Sequence, residues 1–248
     1  MPDTAPRVTT IAPGVSFVDA LARGLLARSR DPLELSRGTI LLPTRRACRA
    51  LQEAFLRASD GRALLLPRLQ PLGDLDAEDS LLAGEEAGGA AIEVAGLAAD
   101  LPPAMPPLRR QLLLAQLIRR LGQVRGERLR EDQAVRLAEE LARLLDQVET
   151  EGLDFQRLDT LVPEDHAEHW QVTLKFLRIL TDAWPGVQAA EGCIGPAARA
   201  RRLLQMQAEA WRRAPPRDPV IVAGSTGSVP ATAELISVVA GLPRGMVV

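Results

Sequence analysis

Residues 38–59 read GTILLPTRRACRALQEAFLRAS and contain the strand-to-helix transition on which the fold assignment depends. Residues 39–42 form an apolar run that ends at Pro43, which favours a buried β-strand. Thr44 is a favoured N-cap residue, and the following apolar residues recur at helical spacing, so a helix is predicted over residues 45–59. Its predicted apolar face consists of Ala47, Leu51, Ala54 and Phe55, and its predicted outer face of Arg45, Arg46, Arg49 and Arg57. A strand that leads directly into a helix is typical of an α/β fold.

Similar strands and helices flank this unit. A short β-branched strand is predicted at residues 8–11, and Ser16 can cap the next helix, with Asp19 completing a weak capping box. Downstream, residues 63–66 form a further apolar run that ends at Pro67. Apolar strands separated by helices predict a buried parallel sheet.

The middle of the chain is predicted to be helical. Residues 71–107 contain an acidic run and several prolines, and are predicted to form a loop or linker. Apolar residues at helical spacing then predict four helices, at residues 108–121, 131–150, 164–184 and 196–213. Pro185 and Gly186 are predicted to end the third of these helices.

The end of the chain returns to the α/β pattern. The predicted elements are a strand at residues 219–223, a tight loop at 224–227, a helix at 231–241 and a strand at 246–248. The chain is therefore predicted to form an α/β domain with an all-α insertion, its parts being residues 1–100, the helical residues 101–215, and residues 216–248. Because the sequence stops on an apolar strand, we expect it to be part of a longer chain.

Composition argues against several functional classes. The chain has 248 residues, and its 30 basic and 32 acidic side chains give a formal net charge of −2. This balance predicts neither a nucleic-acid partner nor a membrane surface. Of the basic residues, 29 are Arg and one is Lys175, which excludes a Schiff-base or P-loop lysine before that position. Aromatic residues make up 3%, so few side chains can stack on single-stranded nucleic acid.

The charge is distributed in blocks along the chain. The net charges are +5, −8, +6, −9 and +4 over residues 1–70, 71–100, 101–130, 131–170 and 171–219. Such blocks either pair with one another as solvated faces, or bring the basic segments together on one positive surface.

The cysteines and the apolar segments indicate in which cellular compartment the protein is expected. Cys48 and Cys193 lie far apart and match no metal-binding spacing, which is typical of reduced thiols in a cytosolic protein. The N-terminus does not have the pattern of a signal peptide, and no run of 18 apolar residues occurs. We therefore expect a cytoplasmic protein without a membrane partner.

The positions where a motor protein would hold a nucleotide lack the required residues. Gly14 and Ser16 follow the first predicted strand, in the place of a phosphate loop, but the other glycines and the lysine are missing. Ala223 and Gly224 stand where acidic residues would hold Mg²⁺. We therefore expect at most a degenerate nucleotide loop, formed by Gly14 and Ser16.

Two other loops carry residues suited to phosphate contact. The loop after residues 219–223 either contacts phosphate or is simply a tight turn. The helix that follows residues 39–42 starts at the carboxyl end of its strand, where ligands bind in open α/β sheets. Its first arginines oppose the helix dipole, so they require either an anion such as phosphate or a carboxylate from elsewhere in the fold. The predicted nucleic-acid contacts are Thr44, Arg45, Arg46, Arg49, Ser225 and Thr226.

Hydrolytic and zinc chemistry are not supported by the remaining motifs. His166 and His169 lie three residues apart, but a zinc site needs a third protein ligand, so a solvated helix start is favoured. No G-x-S-x-G sequence occurs, and the two histidines fall on one predicted helical turn. No catalytic residue and no metal site is predicted.

Several short sequences together resemble the N-terminal region of the AddB family, in its alphaproteobacterial form. They are ILLPTRRA at 40–47, RALLLPR at 62–68, PLGD at 71–74, LRRQLLLA at 108–115, EHW at 168–170 and AGSTGSVPAT at 223–232. The resemblance extends along nearly the whole chain and is most specific in the first and last of these sequences.

The resemblance implies a helicase-like fold of the UvrD/RecB type that has lost its ATPase motifs. AddB is the partner of the AddA motor in a helicase–nuclease that resects double-strand breaks for recombination, so DNA and an AddA-like subunit are the implied partners. The family's iron–sulfur cluster and magnesium ions belong to a C-terminal nuclease domain. They have no counterpart in these residues, so no cofactor is expected in this segment.

Two other functional classes remain open on the sequence. One is a nucleotide hydrolase with an atypical phosphate loop, and the other is a protein-interaction module that does not bind DNA. ATP turnover would indicate the first, and binding to a motor subunit without DNA binding would indicate the second.

Overall fold

A computed structural model of the protein describes residues 6–29, 32–72, 99, 101–124, 129–153 and 177–248. The chain divides into two compact units. The sheet unit combines Met1–Asp100 with Leu203–Val248, and the helical unit is Leu101–Arg202.

The described elements follow one another in chain order. They are α1 (Phe17–Arg28), α2 (Pro32–Arg37), β1 (Thr39–Leu42), α3 (Arg45–Ala58), β2 (Arg68–Pro71), α4 (Pro107–Val124), α5 (Glu131–Glu151), a π-helical segment (Ile179–Ala183), α6 (Trp184–Glu191), α7 (Pro196–Arg213), β3 (Val220–Val222), α8 (Pro230–Gly241) and β4 (Gly245–Val247).

The four described strands form one parallel sheet in the order β2-β1-β3-β4. The register places Leu41 of β1 opposite Gln70 of β2 and opposite Val222 of β3. Val222 in turn lies opposite Val247 of β4. The predicted α/β class with a parallel sheet is therefore confirmed.

The core of the sheet unit lies on both faces of this sheet. Alternate strand residues point to opposite faces. Ile40 and Ile221 belong to the cluster that α1 and α3 cover. Leu41 and Val222 belong to the cluster on the other face, which α8 and the second half of α7 cover. The strands are thus buried on both sides, as their continuous apolar sequences predict.

The prediction of a strand at residues 63–66 is wrong. Residues 62–67 have no regular structure, and the strand is β2, which begins at Arg68. The backbone N–H of Arg68 donates to the carbonyl of Gly38, and Leu72 donates to Leu42, so pairing with β1 determines where the strand lies. Leu65, in the predicted strand, is 55% exposed.

Three further elements differ from the sequence prediction. Within residues 8–11, only Val8 forms a bridge, to Val247, because a single β4 residue exchanges hydrogen bonds with this segment. Helix α2 was not predicted, although Pro32 is well suited to a first helical position. Pro185 does not end a helix: the π-helical segment leads directly into α6, and Pro185 lies in the first turn of α6.

The helical unit has its own core between α4 and α5. Leu114 and Ile118 of α4 pack with Ala138 and Leu141 of α5 in one buried cluster. Trp184 at the start of α6 joins this cluster. Most of the helix predicted at 164–184, including His166, His169 and Lys175, falls outside the described residues.

A buried arginine connects the two main helices of this unit. The Arg110 side chain is 5% exposed, and its Nη1 donates to Asp146 at 2.7 Å. Its Nη2 donates to the carbonyl oxygen of Ala142 at 3.1 Å. Because Arg110 cannot lose its charge, the α4–α5 packing depends on these two acceptors.

We predict that Asp146→Ala destabilises the helical unit by about 2 kcal/mol, because it leaves the buried Arg110 without its carboxylate. Glu140→Ala on the same helix removes only an exposed partner of Arg143 and should cost less than about 1 kcal/mol. The free energy of unfolding of both variants is measured in urea, with hydrogen exchange at the α5 amides as the probe. Equal effects of the two substitutions would contradict this role for Arg110.

Glu149 of α5 fixes the beginning of α7. Its carboxylate accepts a hydrogen bond from the backbone N–H of Ala198 at 3.3 Å and packs against Gly195. Desolvation raises the pKa of Glu149 above its ordinary value, although the nearby Arg110 and the Ala198 N–H act in the opposite direction. Ionised Glu149 is therefore less favourable in the folded state than in the unfolded chain.

A raised carboxyl pKa makes stability fall as pH rises through that pKa. Glu149→Gln keeps an acceptor for Ala198 but cannot ionise. We predict that the variant gains stability relative to the native chain between about pH 4 and 7, and that the difference is smallest at the acidic end. Unfolding by urea at a series of pH values measures this difference. A difference that stays constant, or that shrinks as pH rises, would disprove the assignment.

Candidate nucleic-acid interface at the carboxyl edge of the sheet

The parallel register places the residues that follow β1, β3 and β4 along one edge of the sheet. The backbone N–H of Ala223, just after β3, donates to the carbonyl of Leu41 in β1 at 3.0 Å. The N–H of Gly224 donates to the carbonyl of Val248, which follows β4, also at 3.0 Å. The predicted contacts after β1 and those after β3 come from separate parts of the sequence, and they therefore follow neighbouring positions at the same edge of the sheet.

Thr44 begins α3 as predicted. Its side-chain oxygen accepts the backbone N–H of Ala47 at 3.1 Å, which satisfies one of the free donors at the helix N-terminus. The cap fixes the direction in which α3 leaves β1. The buried face of α3, which includes Leu51 and Phe55, packs under the sheet and turns the opposite face outward.

Arg45, Arg46 and Arg49 are exposed in the first turns of α3. Arg49 follows the other two by three and four residues, so the three side chains share one face of the helix. The side chains of Arg46 and Arg49 form no ion pair or hydrogen bond with another residue in the part of the chain that is described. The positive end of the α3 dipole and two arginines without a carboxylate partner make this surface favourable for an anion.

The loop after β3 is shaped by two glycines. Gly224 has φ +69° and Gly227 has φ +64°, values that L-residues with side chains rarely adopt. A Cβ at Gly224 would come within 3.2 Å of the Phe17 ring, so the start of α1 lies against this loop. Ser225 is half-buried and Thr226 is exposed.

The predicted degenerate nucleotide loop, formed by Gly14 and Ser16, lies directly before α1 and is bonded to it through a side chain. Gly14 lies in a turn with φ +86°, and Ser16 is the residue before α1. The Ser16 side chain does not cap the helix backbone, contrary to the predicted capping box. Its hydroxyl instead donates to Asp19, and this bond, together with Arg57, lowers the pKa of Asp19. Ser16 is thus engaged with the protein.

An ion pair between Arg57 and Asp19 ties α3 to α1. The Arg57 Nη2 donates to the Asp19 carboxylate at 2.6 Å, and the Nε donates to the same oxygen at 3.1 Å. Arg57 therefore has a structural partner, whereas Arg46 and Arg49, nearer the sheet edge, have none among the described residues. The sequence placed all of these arginines on one outer face and did not distinguish between them.

Three arginines of α4 pair with carboxylates of the helical unit. On α4, Arg109 pairs with Glu191, Arg110 with Asp146, and Arg119 with Glu131. The basic block at residues 101–130 and the acidic block after it thus pair with each other in part. This outcome matches the interpretation of the charge blocks as paired faces.

The residues at this edge do not fit the metal groups of the AddB family. Ala223 and Gly224 supply no carboxylate for Mg²⁺, and the two cysteines of the chain cannot supply the four thiolates of an iron–sulfur cluster. Cys48 is buried in the sheet unit and Cys193 is half-buried in the helical unit, and neither forms a disulfide bond. Among the described residues, no cluster of three or more His, Cys, Asp or Glu could hold a metal ion.

Comparison with known proteins assigns no family to the chain. No protein-family model matches this sequence, and no curated protein matches it. None of the helices in the described ranges has the length and the hydrophobicity needed to cross a membrane.

We predict that Thr44→Ala lowers the free energy of unfolding by about 1 kcal/mol, because the Ala47 N–H loses its acceptor. Thr44→Ser, which keeps the hydroxyl, should stay within a few tenths of a kcal/mol of the native value. Chemical denaturation followed by circular dichroism measures both variants. If Ser is as harmful as Ala, the methyl packing of Thr44 matters rather than its cap.

Proposed function

We propose that this chain is the catalytically inactive, helicase-like N-terminal part of an AddB-like subunit, which binds DNA and supports an AddA-like motor in double-strand break repair. The proposal combines the resemblance of the sequence with the surface at the carboxyl edge of the sheet. No step of nucleotide hydrolysis or DNA cleavage is assigned to these residues.

The observation that carries the proposal is the exposed basic face at the start of α3. Arg46 and Arg49 lie there without a carboxylate partner among the described residues, next to the positive end of a helix dipole. A guanidinium group binds phosphate through two parallel hydrogen bonds, and it stays charged at every physiological pH. DNA phosphates are therefore the chemistry that this face suits best.

The neighbouring loop supports a backbone-directed mode of binding. The Ser225 and Thr226 hydroxyls form no hydrogen bond with another described residue, and Gly224 brings the main chain to the surface. Hydroxyls and backbone N–H groups bind phosphates without reading the sequence of bases. We expect the contacts at this edge to position DNA rather than to recognise a base sequence.

The absence of motor residues supports an inactive role. The chain has no lysine before Lys175, Ala223 stands at the position of the magnesium-binding acid, and Ser16 is engaged with Asp19. A scaffold that follows the phosphate backbone needs none of these groups. The motor chemistry would then come from the partner subunit.

We predict that the double variant Arg46→Gln, Arg49→Gln weakens binding to a blunt duplex oligonucleotide roughly tenfold at moderate salt, because two phosphate contacts are lost. The slope of log K against log salt should become less steep by roughly two. Fluorescence anisotropy over a salt series measures both quantities on the full chain.

The matched control removes the same charge elsewhere. Arg136→Gln, Arg143→Gln changes two exposed arginines of α5 that pair with Asp132, Glu139 and Glu140. This control should bind DNA like the native chain. Equal losses in both double variants would reduce the effect to net charge, and an absence of DNA binding at low salt would disprove the DNA role.

The same preparation tests the two other functional classes. ATP turnover that disappears in a Gly14 or Ser16 variant would indicate a hydrolase. Stable association with an AddA-like subunit without affinity for DNA would indicate an interaction module.

A further inference from the structure

A cavity of about 270 Å³ lies at the opposite edge of the sheet, where the strands begin. Gly38, Pro67 and Pro219 line it and stand immediately before β1, β2 and β3, and Gly245, the first residue of β4, lines it as well. Ligands of α/β proteins are usually expected at the carboxyl edge, and none of the predicted nucleic-acid contacts lines this cavity.

The inner wall of the cavity is apolar. It is formed by Leu25 of α1, Ile40 of β1, Ile221 of β3 and Met246 of β4. The first three are less than 9% exposed and belong to the core between α1 and the sheet. An apolar ligand group placed here would contact buried side chains of the core rather than a surface loop.

The rim of the cavity is cationic. Arg7, Arg28 and Arg244 line it, and Glu34 is the one acidic residue among the described residues of its lining. Glu34 pairs with Arg244 at 2.8 Å, so one guanidinium is neutralised. The lining therefore keeps an excess of positive charge.

The other two arginines have weak partners or none. The Arg28 Nη1 rests 2.9 Å from the sulfur of Met246, and a thioether is a weak acceptor that carries no charge. The Arg7 side chain forms no ion pair or hydrogen bond with another described residue. Arg28 lies in the last turn of α1, where the negative end of the helix dipole favours it, but Arg7 has no such compensation.

We propose that this pocket binds a small organic anion, one that carries a carboxylate or a phosphate on an apolar body. The anion would lie between Arg7 and Arg28, and the apolar body would enter toward Ile40 and Met246. The cavity is far too small for a nucleic-acid duplex, and it lies at the edge opposite Arg46 and Arg49. The proposal is therefore independent of the DNA-binding role.

Two probes test this directly, 1-naphthyl phosphate and 1-naphthoate, with inorganic phosphate and 1-naphthol as partial ligands. The full chain, labelled with ¹³C at its four methionine methyls, reports binding by NMR. Met246 lies in the pocket wall, while Met105 lies in the core of the helical unit. Met246→Leu assigns the reporting signal.

We expect at least one naphthyl anion to shift the Met246 signal with a Kd on the order of 1 mM or below, while the Met105 signal stays in place. Each partial ligand should bind at least tenfold more weakly, because it lacks either the charge or the apolar body. A stronger response to the phosphate than to the carboxylate, or the reverse, identifies the anionic group.

The double variant Arg7→Gln, Arg28→Gln should weaken binding at least tenfold and leave DNA affinity unchanged, since both residues lie away from the α3 surface. The Arg136→Gln, Arg143→Gln protein serves as the charge control and should bind the probe normally. No shift at Met246 up to 10-fold above the expected Kd, or equal weakening in both double variants, would overturn the proposal. The thermal transition of each variant confirms that it is folded.

Discussion

The parallel pairing of β1 with β3 is the constraint on which the rest of the sheet unit depends. β1 comes from the first part of the chain and β3 from its last part, and the register joins Leu41 to Val222. Each of these two strands hydrogen-bonds along its length and is buried on both faces. A shift of the register by one residue would therefore move the side chain of Ile40 or Ile221 out of the cluster under α1 and α3 and onto the opposite face of the sheet. The pairing also gives the sheet two chemically different edges. The residues that follow the strands meet at one edge of the sheet, and the residues that precede the strands meet at the other.

The sequence predicts the ends of a strand or helix correctly where residues at those ends themselves favour a break or a cap. Pro43 and Thr44 mark the end of β1 and the start of α3, and the structure places both boundaries within one residue of the prediction. Residues 63–66 carry an equally apolar run, yet the partner of β1 is the more polar β2. The choice between these segments depends on hydrogen bonds to Gly38 and Leu42, which are distant in sequence and leave no periodic signal. Pro185 shows the complementary error, since a proline stops a helix only when it lies beyond the first turn.

The candidate site could be located from the sequence, but its charge balance could not. Thr44 and the arginines after it were predicted to stand at the carboxyl edge, because the carboxyl ends of parallel strands share an edge. Whether a guanidinium has a carboxylate partner depends on tertiary contacts, and the structure separates Arg57, which pairs with Asp19, from Arg46 and Arg49. The pocket at the other edge was not predicted, because Arg7, Arg28 and Arg244 are scattered along the chain and converge only in the fold. A glycine or proline directly before β1, β2 and β3 is the signal in the sequence that marks this edge.

The proposed position of DNA against the carboxyl edge of the sheet is tested most directly by photo-cross-linking. A benzophenone amino acid can replace Gln52, which is exposed on the same face of α3 as Arg49. A second variant carries it in place of Arg37, which is exposed at the end of α2, near the opposite end of β1. Irradiation of each variant of the 248-residue chain with a duplex oligonucleotide then gives a yield of cross-linked DNA. The account predicts a high yield from position 52 and little from position 37. Equal yields from both positions, or a higher yield from position 37, would contradict it.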